Sequence, residues 1–417
     1  MTPDALVDHL FRRQAGQMVA TLTRHLGARH LALAEDAVQE ALVKALQQWP
    51  FRGVPDHPEG WLFRTARNAA LDRLRHERVA AHKAPALAHH LPREAPPASD
   101  ATLAGEPPPL DDDRLGLMFL ACHPALSRES RVALTLKLVG GFSVREIARA
   151  YLAQDAAVAQ RLVRARHQLR AAEASFGPPE AADLADRLDA VLEAIYLIFN
   201  EGYAATEGDA LVREDIAAEA IRQARLVAAH PVTDVPRAWA LVALLELHAA
   251  RFPARMGEDG TIFRLRDQDR SRWDRRLIAS GMRALDRAAG GADVSRYHLE
   301  AGLAACHAAA PTWDATDWRH MLDLYDDLLA LTGSPIVALN RAVVVAQIEG
   351  PRAGLAALDA IRDAPGLARY HLFHAAKAEL WREAGDPDRA SAAYRDALEA
   401  ARSAPERRFL AERLEQL

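Results

Sequence analysis

Cysteine stands beside histidine twice, at Cys122-His123 and Cys306-His307, a pairing that a thiolate nucleophile or a metal site could use. The two pairs lie far apart, match no metal-ligand spacing, and each occurs in an apolar helical context where cysteine serves as a small core hydrophobe. No glycine-rich phosphate loop, HExxH pair or serine elbow is present. Two polar clusters remain. "IFNEGYAATEGD" (198–209) offers Asn200, Glu201, Tyr203 and Glu207 to a pocket, and "DQDRSRWD" (267–274) offers Asp269, Arg270 and Trp273. Helix caps, interhelical hydrogen bonds and a stacked Arg–Trp contact with an Asp partner explain both equally well. These residues predict no enzyme, no catalytic group, no metal and no cofactor.

Binding chemistry is better represented. "AQRLVRARHQLR" (159–170) holds four arginines. Val158, Leu162, Ala165 and Leu169 recur at i, i+4, i+7 and i+11, the stripe of one helix that must pack on something. At 100° per residue, Ala157, Gln160, Arg161 and Arg164 gather on the face away from that stripe near the helix start, with Gln154 just ahead of it. A helix-turn-helix reader contacts base edges with that part of its second helix, and Gln and Arg are bidentate partners for adenine and guanine. Arg166 and Arg170 flank the other side, where a phosphate or a protein partner is expected. Upstream, Ser143 with Glu146 makes a capping box, so a first helix runs to about Tyr151, Leu152 to Asp155 form the turn, and the second helix starts at Ala156. A basic surface helix on a bundle is the competing reading of this stretch alone.

Two earlier helices must be positioned as well. In "EDAVQEALVKALQQW", Val38, Leu42, Ala45 and Trp49 share a buried side, while Asp36, Gln39, Glu40 and Val43 form a docking ridge. In "PEGWLFRTARNAALDRLRHERV", Phe63, Ala66, Ala70 and Leu74 are expected to be buried. Arg64, Arg67, Asn68, Arg75 and Arg78 point outward, interleaved with exposed Trp61 and Leu71, a pattern suited to gripping an unstacked single strand.

The composition frames these elements. Few aromatic and β-branched residues and an Ala/Leu/Arg/Glu-rich alphabet predict an all-α chain. At 417 residues, two or three domains are expected. Charge is uneven: residues 1–80 carry 11 basic against 9 acidic side chains and 111–175 carry 10 against 7, whereas 176–417 carry 29 against 38. That asymmetry fits an N-terminal part that approaches a polyanion. Proline-rich 84–110 reads as a linker and "FGPPEAAD" (176–183) as a second break, giving segments 1–83, 111–175 and 180–417. In the last, Ala342, Val345, Gly350, Gly354, Leu358 and Ile361 are echoed about 36 residues on by Ala378, Trp381, Gly385, Ala390, Tyr394 and Ala397, close to the ~34 of a tetratricopeptide unit. A looser copy involves Ala304, His307, Tyr325 and Leu328. A plain antiparallel bundle fits this pattern too. Two cysteines, no basic-apolar leader and no run approaching ~18 apolar residues lead us to expect a cytoplasmic protein with no membrane span.

The order "AEDAVQEALVKAL", "WLFRTARNAALDRLRHER", linker, then "HPALSRESRVALTLKLVGGFSVREIARAYLAQDAAVAQRLVRARHQLR" resembles an extracytoplasmic-function sigma factor of bacterial RNA polymerase. The resemblance covers about the first 175 residues, and "AIYLIFNEGYAA" with "DQDRSRWDRRLIASGM" resembles the large C-terminal extension of one sigma subgroup. It implies region 2 at 1–83, region 4 at 111–175, and RNA polymerase core and promoter DNA as partners. It further implies that Asp36, Gln39, Glu40 and Val43 bind polymerase, that Trp61, Arg64, Arg67, Asn68, Leu71, Arg75 and Arg78 serve the melted minus-ten strand, and that Gln154, Ala157, Gln160, Arg161 and Arg164 serve the minus-thirty-five groove. Arg145 and Arg149 become phosphate contacts that set register. Leu152 stands where the family commonly has glycine, and Ala159 replaces a common basic residue. A stand-alone helix-turn-helix regulator with a ligand- or protein-binding repeat domain is the alternative.

Overall fold

A computed structural model describes residues 3–83, 110–150, 153–203, 213–257, 263–291, 293–401 and 404–417, and side chains within them except at 3–14, 77–83, 110–112, 149–150 and 404–405. Every described element is helical, as the composition predicts, and no strand occurs among the described residues. The chain divides into two compact units, Met1–Ile195 and Tyr196–Leu417.

The first unit begins with α1 (Pro3–Leu26), α2 (Leu31–Arg52) and α3 (Pro58–Lys83), which pack on one another. Their shared core includes Leu22, Val38, Leu42, Trp49, Leu62, Ala66 and Ala70, all nearly or fully removed from solvent. Alanine at Ala34, Ala37, Ala41, Ala45 and Ala66 lets the helix axes approach closely. The predicted stripe on α3 is rotated: Leu62, Ala66, Ala69 and Ala70 are buried, whereas Phe63 and Leu74 are only half-buried. The larger Phe63 drew the expectation, but the alanines at 66, 69 and 70 following Leu62 suit the tight contact with α2 better.

Next come α4 (Leu110–Ala121), α5 (Arg128–Leu138), α6 (Val144–Ala150) and α7 (Asp155–Ala171), with α8 beginning at Leu184 and running to Tyr203. Ser127 caps α5, its hydroxyl accepting from the Ser130 N–H at 3.3 Å. The capping box ahead of α6 forms in both directions: the Ser143 hydroxyl accepts from the Glu146 N–H at 3.1 Å, and the Ser143 N–H donates to the Glu146 carboxylate at 2.8 Å. Helix α7 starts one residue earlier than expected because Gln154, in extended conformation, serves as its N-cap and Asp155 enters the first turn, where an acid suits the helix dipole. Tyr151 and Leu152 lie outside the described residues, as does the 84–109 part of the linker.

Helices α1 to α3 and α4 to α7 pack together within this unit. Asp113, 1% exposed, accepts from the Thr21 hydroxyl at 2.7 Å and from Arg24 at 2.8 Å. A Cβ on Gly16 would come within 2.8 Å of the Leu138 carbonyl and 2.9 Å of the Val139 carbonyl, so glycine is required where α1 crosses the end of α5.

In the second unit, α9 (Glu214–Ala229) leads into α10 (Pro236–Ala249) and the short α11 (Phe252–Arg255), and α9, α12 (Arg275–Ala288) and α13 (Arg296–Ala309) pack around an α10 that is buried along nearly its whole length. From α13 onward, α14 (Trp318–Thr332), α15 (Pro335–Glu349), α16 (Pro351–Ala360), α17 (His371–Glu383), α18 (Pro387–Ala400) and α19 (Ala404–Glu415) each pack on the next in chain order. Ala342, Leu358, Ala378, Ala390, Tyr394 and Ala397 are all buried, so the 36-residue echo marks the contact positions of successive helical hairpins. Gly350 and Gly385, at φ 93° and 80°, take the left-handed conformations that end α15 and follow α17. The Glu379 carboxylate ties this array together, receiving Arg264 at 2.8 Å, Arg382 and Arg413 at 2.9 Å each, and the Tyr394 hydroxyl.

Candidate nucleic-acid interface

Helix α7 carries the sharpest candidate surface. Val158, Leu162, Ala165 and Leu169 are 0–3% exposed, which seats the helix on α5 and α6 along the predicted stripe. Gln154, Ala157, Gln160 and Arg164 are exposed, and Arg161 is half-buried at the edge of the stripe. The centre of the exposed face lies at Gln160, Val163 and His167. Val163, 62% exposed, was missed because an isolated valine in a polar helix reads as noise, yet a methyl-bearing side chain beside Gln160 and Arg164 is what a thymine methyl group would meet in a major groove. Arg145 is exposed on α6. The Arg149 side chain lies outside the described residues, as does that of Arg78.

Arg166 and Arg170 have protein partners. The Arg166 guanidinium donates to Glu35 of α2 at 2.6 and 2.8 Å, and Arg170 donates to the Arg29 carbonyl at 3.4 Å. Burial pushes the Glu35 carboxyl above the ordinary carboxylate range, with Arg166 and then Lys137 pulling it back. These arginines are therefore distinct from Gln160 and Arg164, which point away from the packed face.

On α2, Asp36, Gln39 and Val43 are exposed and Glu40 is half-buried, so the ridge stands as one surface. Its acids are partly engaged: Arg73 of α3 donates to Glu40 at 2.9 Å and to Asp36 at 3.4 Å, and Lys44 pairs with Glu40 at 2.8 Å. Hydrogen bonds from Lys44 and Arg73 hold the Glu40 carboxyl below its ordinary range. Arg73 escaped the sequence reading because its partners lie 33 and 37 residues away; the Glu40–Lys44 spacing of four was legible. A cleft of about 380 Å³ runs between the two helices, lined by Glu40, Lys44, Asn68, Asp72, Arg73 and His76 among others.

Along α3, Arg64, Asn68 and Arg75 are exposed, while Arg67 is half-buried beside Leu22, His25 and Phe63. Trp61 and Leu71 are half-buried instead of exposed. Trp61 meets Trp49 edge to face, with ring centroids 5.6 Å apart, so its ring is held by packing with one side open. Both apolar side chains follow the rotated stripe, which turns them toward the bundle.

The catalytic candidates dissolve into structure. Cys122 is 1% exposed and burial pushes its thiol up to about 11, far from a reactive thiolate; Cys306 is half-buried. No cluster of metal-ligating side chains occurs among the described residues. Arg270 does stack on Trp273, 4.8 Å from the ring centroid, but Asp269 serves the Ser271 N–H and hydroxyl and is not its partner. Glu207 lies outside the described residues.

The comparisons with known proteins agree with this geometry. Residues 10–79 match the sigma-70 region 2 family and residues 116–169 match sigma-70 region 4. The chain is an ECF-like sigma factor with a C-terminal extension. Residues 187–289 of this sigma factor match a family of unknown function, DUF6596. The whole chain is similar to an uncharacterized protein of Rhizobium meliloti (strain 1021), at 36% identity over 418 residues, covering 100% of this chain and 97% of the relative. No solved structure matches. Sigma factors of these families are DNA-binding regulators of transcription and carry no enzymatic activity, and RNA polymerase core and promoter DNA are their partners. No described helix is long and apolar enough to cross a membrane.

The capping box gives the first prediction for this sigma factor. Ser143→Ala leaves the Glu146 N–H without its acceptor at the entry of α6, and is expected to cost about 0.5–2 kcal/mol. Denaturant unfolding compared with Ser143→Thr, which keeps the acceptor, measures it; equal midpoints for alanine and threonine would refute the role.

Proposed function

We propose that the promoter-recognition role of this sigma factor is divided among three surfaces. Asp36, Gln39, Glu40 and Val43 dock on the polymerase clamp; Trp61, Arg64, Arg67, Asn68, Leu71, Arg75 and Arg78 hold the melted minus-ten strand; and α7 enters the minus-thirty-five major groove through Gln154, Ala157, Gln160, Arg161 and Arg164. Arg145 and Arg149 add phosphate contacts. We place region 2 at 1–83, the linker at 84–110, region 4 at 111–175 and a regulatory helical domain at 180–417. The observation that carries the groove assignment is the exposed row of Ala157, Gln160 and Arg164 opposite a fully buried stripe, on a helix whose flanking arginines Arg166 and Arg170 already have protein partners.

Base contacts and the contacts that Arg170 makes within the protein then separate by experiment. Arg164→Ala is expected to lower discrimination at the minus-thirty-five element by about 1–3 kcal/mol, whereas Arg170→Ala should weaken all promoters alike. In vitro transcription by holoenzyme across a set of minus-thirty-five variants reads both, and equal losses on every promoter from Arg164→Ala would remove the groove assignment. A gel shift with and without core polymerase tests the wider reading: tight, sequence-specific duplex binding by the chain alone favours a stand-alone regulator.

The modulating role of the C-terminal domain is supported by its acidity, 29 basic against 38 acidic residues over 176–417, and by a helical-hairpin array of the kind that presents broad binding surfaces. Because Arg187 donates to the Phe119 carbonyl at 2.8 Å and Glu193 pairs with Arg128 at 2.8 Å, the informative truncation ends after Tyr203 and leaves those contacts intact. Unchanged activity and promoter choice in that truncation would exclude modulation.

A further inference from the structure

The sequence set aside two polar clusters, around Tyr203 and around Arg270, as equally consistent with structure or with a pocket. Within the second unit they come together. Arg255 of α11 lies over the Tyr203 ring, 3.8 Å from its centroid, and Tyr203 meets His248 edge to face at 5.1 Å. Trp273 sits between Arg270 and Arg251, at 4.8 and 5.9 Å. His307 packs against Trp313 and Trp318, and its ring feels the charges of both Arg251 and Arg270.

Charge balance is what sets this cluster apart. Elsewhere in the same acidic unit arginines packed into the fold are ion-paired, among them Arg225 with Glu246, Arg264 with Glu379, Arg296 with Glu300 and Arg341 with Asp326. Arg251, Arg255 and Arg270 have no carboxylate within ion-pair distance among the described residues, although all three are half-buried. Their hydrogen bonds go to neutral acceptors: Arg251 to the Gln268 side chain, Arg255 to the Tyr203 carbonyl, and one nitrogen of Arg270 to the His307 and Ala310 carbonyls. Half-buried cations normally find an anion, because the loss of hydration is otherwise uncompensated.

Unfilled donors point the same way. Arg270 Nη2, Trp273 Nε1, His248 Nδ1 and His307 Nδ1 are all sealed from solvent and have no hydrogen-bond partner among the described residues. Four such atoms around one set of arginines is unusual, since buried polar atoms are satisfied in the great majority of cases and an exception commonly marks a bound water or ion. Burial and the neighbouring arginines bring both histidines down to about 3, so at neutral pH each offers one N–H without adding charge. The stacked rings hold the guanidinium planes in place before any ligand arrives, which lowers the ordering cost of binding.

We propose that the C-terminal unit binds a small oxyanion, carried on a carboxylate or a phosphate, at Arg251, Arg255 and Arg270, with Trp273, His248 and His307 as further donors. An acceptor-only anion with two or more oxygens is the chemistry that satisfies forked guanidinium donors and neutral N–H groups together. The inference does not depend on the promoter reading, since every residue in it lies in the second unit.

The test uses the full chain with inorganic phosphate and acetate as separate probes, each against chloride at matched ionic strength, read by calorimetric titration and thermal unfolding. At least one probe is expected to bind saturably and raise the midpoint. Arg251→Gln should weaken that binding about tenfold or more, the scale of one lost charge-assisted hydrogen bond. Trp273→Phe keeps an aromatic face beside the arginines and removes the indole N–H, at the cost of a smaller ring, so it should weaken binding in a folded protein even where the arginine variant unfolds. Arg319→Gln, on the exposed side of α14, should leave binding unchanged. Stronger response to phosphate than to acetate, or the reverse, identifies the source of the oxyanion. No saturable response to either probe, wild-type affinity in both Arg251→Gln and Trp273→Phe, or an equal loss in Arg319→Gln overturns the proposal.

Discussion

Arg166→Met is expected to destabilise the first unit by about 3–5 kcal/mol at neutral pH through loss of the Glu35–Arg166 link between α2 and α7, the usual effect of removing one partner from a buried ion pair. The wild-type pair is well shielded, with side-chain exposures of 23% for Arg166 and 10% for Glu35, so solvent screening offers little relief. Methionine preserves most of the volume, which leaves the stranded Glu35 carboxylate as the main source of the loss. Hydrogen exchange should show protection of α2 and α7 falling by about a hundredfold or more, at ~1.4 kcal/mol per tenfold. The pH dependence follows from the raised Glu35. A carboxyl that holds its proton more tightly when folded favours the folded state below its ordinary pKa and loses that contribution as pH rises to its raised value. Loss in Arg166→Met should therefore shrink on acidification, when the carboxyl is neutral. A second change, Glu35→Met, removes the stranded group and should restore most of the protection. Full protection in Arg166→Met, or no recovery in the double variant, would sink this account.

That pair also shows where sequence reading stops. The stripe Val158, Leu162, Ala165, Leu169 and the Ser143–Glu146 box were legible because both depend on spacings inside one helix, where 100° per residue converts sequence directly to direction. Arg166 was placed on the correct side and expected to meet phosphate or protein, but its partner lies 131 residues away, and no local rule reaches that far. Arg73 failed for the same reason. On α3 Ala66 and Ala70 were placed correctly, but the edge of the stripe was set on the wrong side, at Phe63 and Leu74 instead of Leu62 and Ala69, because a large phenylalanine draws the reading while the close approach of α2 rewards alanine. Trp61 and Leu71 then shifted from exposed to half-buried. In the second unit, the 36-residue echo exposed the hairpin contacts, yet the meeting of Tyr203 with Arg255 and of Arg270 with His307 required the tertiary fold.

Acidification tests the Glu379 network. Burial alone would raise this carboxyl, but the Tyr394 hydrogen bond and the charges of Arg264, Arg382 and Arg413 outweigh it and bring Glu379 down to about 2 from an ordinary 4.5. The depressed value means that the ionised form is favoured in the folded state, so the contribution is fully present above pH 4.5 and is lost as pH falls through about 2. A shift of that size corresponds to about 3 kcal/mol, at 1.36 kcal/mol per pKa unit, and the 18% exposure of the side chain keeps solvent screening small. Glu379→Gln is expected to lose about that much at neutral pH, because one amide oxygen replaces a carboxylate that four donors share. It should also flatten the dependence of unfolding on pH between 4.5 and 2 relative to wild type. Tyr394, whose hydroxyl is pushed up to about 12 by burial and by Glu379, contributes one of those donors, so Tyr394→Phe should cost less, about 1.5–3 kcal/mol. The two substitutions act on one hydrogen bond and must be non-additive in a double-mutant cycle. Denaturant unfolding followed from pH 6 to pH 2 reads all three. Additive losses, or a Glu379→Gln chain that keeps the wild-type pH dependence, would mean that the array is held by its alanine contacts and that the four converging donors contribute little to its stability.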